Sequence, residues 1–148
     1  LNKSLSINNE SSMFVTIFVG VLNLKTGELS YSNAGHNPPF IIRKNGDVKM
    51  FELAKTAPIG LFEDLFYTES RVSFSHGDKL FMYTDGVTEA ENVEQTLYST
   101  ERLVSILKNK YEAKPDELVK SIEEDVSLHV NKHEQSDDIT MMTIIFYG

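Results

Sequence analysis

From residue 13 the chain runs apolar to residue 24, with Thr and Gly interspersed. Lys25-Thr26-Gly27-Glu28 then interrupts it before the alternating Leu29-Ser30-Tyr31-Ser32-Asn33. Two strand-like runs around a Gly-bearing turn predict an antiparallel hairpin. A second hairpin is predicted by Pro39-Phe40-Ile41-Ile42-Arg43-Lys44 and Asp47-Val48-Lys49-Met50-Phe51. The intervening Asn45-Gly46 suits a type I′ turn, which needs positive φ at both central positions. Between the hairpins, Asn33-Ala34-Gly35-His36-Asn37-Pro38-Pro39 is a loop, because its prolines bar helix, and it presents His36 and Asn37. Ala57-Pro58-Ile59-Gly60-Leu61 is another loop, before a strand expected over residues 67–74. Ser75-His76-Gly77-Asp78 reverses the chain into Lys79-Leu80-Phe81-Met82-Tyr83-Thr84, an apolar strand that stops at Asp85-Gly86.

The periodicity then changes. Leu103, Ile106 and Leu107 share one face of a helix near residues 100–110. Pro115, Asp116 and Glu117 start a second, whose Leu118, Ile122, Val126 and Val130 recur every fourth residue to about residue 131. Residues 1–7 read as the tail of a further helix. After a polar loop over 133–136, residues 137–146 are apolar on both alternating faces, the pattern of a buried central strand. The expected class is α+β: an antiparallel β-sandwich flanked by helices, in one domain over residues 1–148.

Composition narrows the chemistry. A chain of 148 residues with 41% hydrophobic positions can bury one core. A net charge of -8, with only Arg43, Arg71 and Arg102 as arginines, argues against nucleic acid. The absence of cysteine removes thiolate zinc sites, disulfides and a cysteine nucleophile. No apolar run approaches the roughly 20 residues that span a bilayer, and the expected compartment is the cytoplasm.

Two carboxylates stand out by position. Asp85 ends one apolar strand at a Gly turn, and Asp137 begins another. If those strands are antiparallel neighbours, the carboxylates meet at one sheet edge. Hard cations such as Mg²⁺ or Mn²⁺ favour such oxygens and leave positions for phosphate and water. On pattern alone, an ordinary turn and an ordinary loop end account for the same residues. His129 and His133 have a spacing that can bind zinc, but without the accompanying Glu they read as solvated or capping side chains.

Five segments in order carry more information: Met13-Phe14-Val15-Thr16, Asn33-Ala34-Gly35-His36-Asn37-Pro38-Pro39, Pro58-Ile59-Gly60-Leu61, Gly77-Asp78 through Tyr83-Thr84-Asp85-Gly86-Val87-Thr88-Glu89-Ala90, and Ser136-Asp137-Asp138-Ile139-Thr140. Over nearly its whole length the chain resembles the metal-dependent serine/threonine phosphatases of the 2C class, in their bacterial SpoIIE/RsbU branch. The resemblance implies hydrolysis of phosphoserine or phosphothreonine by metal-activated water, using Mn²⁺ or Mg²⁺ in a two-metal site. By that likeness Asp85 and Asp137 are metal ligands and catalytic, while Asp138 supports the site or the phosphate. His36 and Asn37 are candidates for substrate contact or support.

The family's N-terminal bridging aspartate and its Asp-x-Ser-Gly-type motif have no counterpart here. The chain therefore resembles the C-terminal portion of a catalytic domain, expected to be inactive alone. The family likeness further implies a phosphorylated regulatory partner of the anti-anti-sigma kind, an upstream sensor or receiver domain, and possible homodimerisation. The alternative is a non-catalytic module of the same fold that binds a signalling partner.

Overall fold

The computed structural model describes all residues except 8, 55, 132 and 134–136. Its elements are α1(Asn2–Ser6), β1(Ile17–Leu22), β2(Glu28–Ala34), β3(Phe40–Ile42), β4(Val48–Met50), β5(Ser70–Ser73), β6(Lys79–Tyr83), α2(Asp85–Thr88), α3(Thr100–Asn109), α4(Pro115–Val130) and β7(Met141–Ile145). The α+β class with antiparallel sheets is the one observed. The chain divides into two compact units. The first holds residues 1–38, 52–74 and 148, and the second holds 39–51 and 75–147.

In the first unit the strands lie in the order β1-β2-β5, both pairs antiparallel. Alternation along β2 buries Leu29 and Tyr31 on one face, and Ala34, on the other, is buried as well. Phe18 stacks on Tyr31 with ring centroids 5.5 Å apart, and the Tyr31 hydroxyl donates to the Glu52 carbonyl at 3.1 Å. The outward Val19 and Val21 of the edge strand β1 are exposed. The strand expected over 67–74 is shorter, because its ladder with β2 ends at Tyr31↔Ser70. Before that point the Tyr67 hydroxyl turns to the Pro58 carbonyl instead.

In the second unit the order is β4-β3-β6-β7, all antiparallel. Its core joins Phe40, Ile42, Phe81 and Tyr83 of the sheet with Leu103 and Leu107 of α3 and Leu118, Ile122 and Val126 of α4. Each such burial stabilises by about 1.5–3 kcal/mol. The start of α4 follows from Pro115 in its first turn and from Glu117, whose carboxylate accepts the Lys114 N–H at 3.2 Å. Asn131 ends it in the left-handed conformation (φ 45°).

Two expectations are corrected in this unit. The β3–β4 hairpin forms, but not through a type I′ turn. Gly46 N–H bonds to the Arg43 carbonyl at 2.9 Å, and Gly46 alone of the Asn45-Gly46 pair has positive φ (+88°). The loop is a turn followed by a left-handed glycine, held where an added Cβ would come within 3.3 Å of the Tyr111 ring. Residues 137–146, read as a central strand, instead supply the edge strand β7, paired among the described residues only with β6 and leaving Met142 and Ile144 exposed. Apolar residues on both faces reveal a demand for cover, and within the described residues one side of the strand has none.

The reversal before β6 is organised by Asp78, only 2% exposed. Its carboxylate accepts from Ser75 N–H (2.8 Å), Lys44 N–H (3.0 Å) and Arg43 Nη1 (2.8 Å). Burial alone would raise its pKa. The hydrogen bonds from Ser75, Arg43 and Lys44, together with the Arg43 charge, outweigh burial and hold it below the usual carboxylate range.

Candidate active site

The second unit brings the two carboxylate-bearing segments together at one end of the β6–β7 pair. The ladder reaches Tyr83↔Met141 and is then extended by Thr84, whose N–H bonds to the Thr140 carbonyl at 3.0 Å. The Thr84 hydroxyl completes the joint. It donates to the Asp138 carbonyl and accepts the Thr140 N–H, each at 2.9 Å. One side chain therefore ties the residue before Asp85 to both sides of Ile139. Sequence reasoning gave Thr84 no role, although its place between an apolar strand and Asp-Gly was the available signal.

Gly86 completes the approach. A Cβ added there would lie 2.5 Å from the Asp138 carbonyl oxygen and 3.2 Å from that of Asp137. Gly86 sits in α2 without positive φ, so the glycine is required by space rather than by conformation. The second expectation for these strands, that they are antiparallel neighbours placing the two aspartates at one edge, matches this geometry.

Both candidate ligands are exposed at the joint. Asp85 opens the short helix α2; its Oδ1 accepts from Gly86 N–H at 3.1 Å, and its carbonyl accepts from Glu89 N–H at 2.8 Å. Asp137 Oδ1 accepts from Asp138 N–H at 2.7 Å. Asp138 lines an open groove of about 960 Å³ with Val119, Glu123, Val126, Val130 and Met141, whereas Asp137 is not part of that lining. The preceding Ser136 of the motif lies outside the described residues.

As donors, carboxylate oxygens without sulfur suit a hard divalent cation. Two carboxylates are a partial set, and among the described residues no group of three or more His, Asp or Glu is gathered as for a metal ion.

His36 and Asn37 belong to the first unit, both half-buried. His36 Nδ1 lies 3.4 Å from Thr16 Oγ1, and the Asn33 amide donates to the His36 carbonyl at 3.1 Å. Their loop is braced by the other motif segments of that unit. Val15 and Ile59 exchange both backbone hydrogen bonds at 2.9 Å, and Gly35 (φ +72°) lies where a Cβ would come within 2.9 Å of the Pro58 ring.

His129, read as solvated or capping for want of the accompanying Glu, is half-buried with a partner at each ring nitrogen. Its Nδ1 lies 3.0 Å from Arg102 Nη1 and its Nε2 2.9 Å from the Thr96 carbonyl oxygen.

The fold is that of the phosphatase domains of the 2C class. The solved phosphatase domain of the cell fate determinant SpoIIE from Bacillus subtilis, Mn presoaked, superposes with a TM-score of 0.74 at 18% identity, covering 98% of this chain and 62% of that one. The chain belongs to the Stage II sporulation protein E (SpoIIE) family, whose model matches residues 1–146. It is 34% identical over 138 residues to Protein IcfG of Synechocystis sp., covering 93% of this chain and 21% of IcfG. To the phosphoserine phosphatase RsbU of Bacillus subtilis it is 27% identical over 145 residues, covering 97% of this chain and 42% of RsbU. The chain thus spans less than half the length of either relative.

Proposed function

We propose that this chain is the C-terminal part of a catalytic domain whose parent protein hydrolyses phosphoserine or phosphothreonine on a regulatory protein of the partner-switching type. The observation that carries the reading is the joint at the end of β6 and β7. Thr84 and the bare Cα of Gly86 hold the segments of Asp85 and Asp137 in backbone contact. Asp85 and Asp137 are the residues that would hold Mn²⁺ or Mg²⁺, with Asp138 beside them as support. A divalent ion there supplies Lewis-acid activation of water and charge neutralisation at phosphate.

The chain's own contribution is placement. Both carboxylates stand exposed on segments cross-tied by three hydrogen bonds, so little ordering is left for the moment of binding. Because two carboxylates are a partial set, the reading assigns a further ligand to the parent protein, and this chain alone binds metal weakly and turns over little phosphopeptide. The phosphoserine phosphatase named among its relatives and the Mn-presoaked SpoIIE domain support the substrate and the metal.

The test is calorimetric titration of Mn²⁺ into the chain and into Asp85→Ala and Asp137→Ala. Weak binding abolished by either substitution is the expected result, whereas equal binding in all three overturns the metal assignment. Appreciable Mn²⁺-dependent hydrolysis of a phosphopeptide by the chain alone would overturn the incomplete site.

A further inference from the structure

Behind the segment that follows Asp85, side chains from α3, α4 and the loop leading into α3 form a connected cluster. Arg102 grips Asp125 with two hydrogen bonds, Nε to Oδ2 at 2.7 Å and Nη2 to Oδ1 at 3.0 Å. The guanidinium lies over the Tyr98 ring, 5.1 Å from its centroid, and the His129 ring meets Tyr98 edge-on at 5.6 Å. Tyr98 is almost fully buried.

The partners of His129 select one form of its ring. Arg102 Nη1 can only donate, so Nδ1 must be bare; the Thr96 carbonyl can only accept, so Nε2 must carry the hydrogen. Only the neutral Nε2–H tautomer satisfies both contacts.

The loop so held is strained and is tied directly to α2. Ser99 has φ 75° and ψ 156°, a region essentially reserved for glycine, which persists only where the surroundings over-determine it. Tyr98 N–H bonds to the Ala90 carbonyl at 2.8 Å and Ser99 N–H to the Thr88 carbonyl at 2.9 Å. Thr88 closes the helix that Asp85 opens. His129 itself stands one residue before the end of α4, the last helix before Asp137.

We propose that Arg102, Asp125 and His129 form a positioning clamp that holds the Thr96–Ser99 turn against α4 and thereby fixes Asp85, with His129 as its Nε2–H tautomer. This rests on the reading of Asp85 as a metal ligand. None of the three touches the reacting atoms; they act through the turn.

Long-range ¹H–¹⁵N correlation on the chain near neutral pH should show His129 as the Nε2–H tautomer; an Nδ1–H tautomer or averaging of the two overturns the clamp. Amide hydrogen exchange tests its action. His129→Leu should speed exchange of the Glu89, Tyr98 and Ser99 amides about tenfold relative to those of β3 and β6. In His129→Gln an amide nitrogen can still donate to Thr96 and an oxygen accept from Arg102, and it should restore exchange to within about threefold. No local change in His129→Leu, or failure of His129→Gln to rescue, refutes the proposal. A global loss of fold would speed β3 and β6 equally and so be recognised; Arg102→Lys, which loses the two-point grip on Asp125, then provides the same local test. Mn²⁺ binding indifferent to Asp85→Ala would overturn the metal reading alone, because the exchange result does not depend on metal.

Discussion

Asp78→Asn isolates the energetics of the turn before β6. The substitution keeps size and removes charge. The asparagine oxygen can replace only one of the two carboxylate oxygens. Placed toward Ser75 N–H and Arg43 Nη1, it leaves its NH₂ facing the Lys44 N–H, a donor. One charge-assisted hydrogen bond, worth about 1.5–3 kcal/mol, is lost outright, and the other two lose the charge of their acceptor. The same change strips the carboxylate from an ion pair whose acid is buried while Arg43 is partly exposed. Because Arg43 can recover some hydration, the lower part of the usual 3–5 kcal/mol for breaking a buried pair applies, about 3 kcal/mol. Urea unfolding followed by circular dichroism at pH 7 measures it as a fall in midpoint at unchanged slope. The pH dependence has a fixed sign. A carboxyl whose folded pKa is depressed contributes its stability above its unfolded pKa, near 4, and loses it as pH falls through the folded value. The difference between parent and variant should therefore be full at pH 7 and shrink as pH falls below the unfolded pKa, about 4. A loss under about 1 kcal/mol at pH 7, or a difference that grows on acidification, would refute the argument.

Four further substitutions probe the joint and the clamp. Gly86→Ala, which in an open helix would stabilise by about 0.5–1 kcal/mol, should here destabilise by about 2–3 kcal/mol, because a Cβ cannot stand 2.5 Å from a backbone oxygen; thermal unfolding gives the sign. Thr84→Val, which orphans the Thr140 N–H and the Asp138 carbonyl, should cost about 1–2 kcal/mol. Thr84→Ser should stay within about 0.5 kcal/mol of the parent in the same denaturation series. Ser99→Gly should raise the midpoint by the equivalent of about 1 kcal/mol, since glycine adopts that backbone without strain; a lower midpoint would deny that Ser99 is strained.

The parts of the fold legible in advance are those where independent local signals agree. In α4 the four-residue apolar spacing, Pro115 and Glu117 all mark one helix, and it forms over Pro115–Val130. The meeting of Asp85 with the Asp137 segment was legible because strand ends and motifs coincide. What stayed hidden depends on distant partners. The turn at Asn45-Gly46 is set partly by Tyr111, far along the chain. The role of His129 requires Arg102 and Thr96, 27 and 33 residues away, and no periodicity encodes that. The edge position of β7 was missed because an apolar pattern records what a strand needs and not what surrounds it.

The open sides of β1 and β7 bear on handling. Among the described residues, β1 and β7 each lack a strand partner on their outer side, flanked by exposed valines in one case and by Met142 and Ile144 in the other. Edges of that kind recruit further strands, and charged gatekeepers are absent from β1, whose residues are Ile, Phe, Val, Gly, Val and Leu. Preparations of the chain should therefore self-associate with rising concentration. Lysine at Val19 and Val21, which face outward, is the direct route to a more soluble specimen.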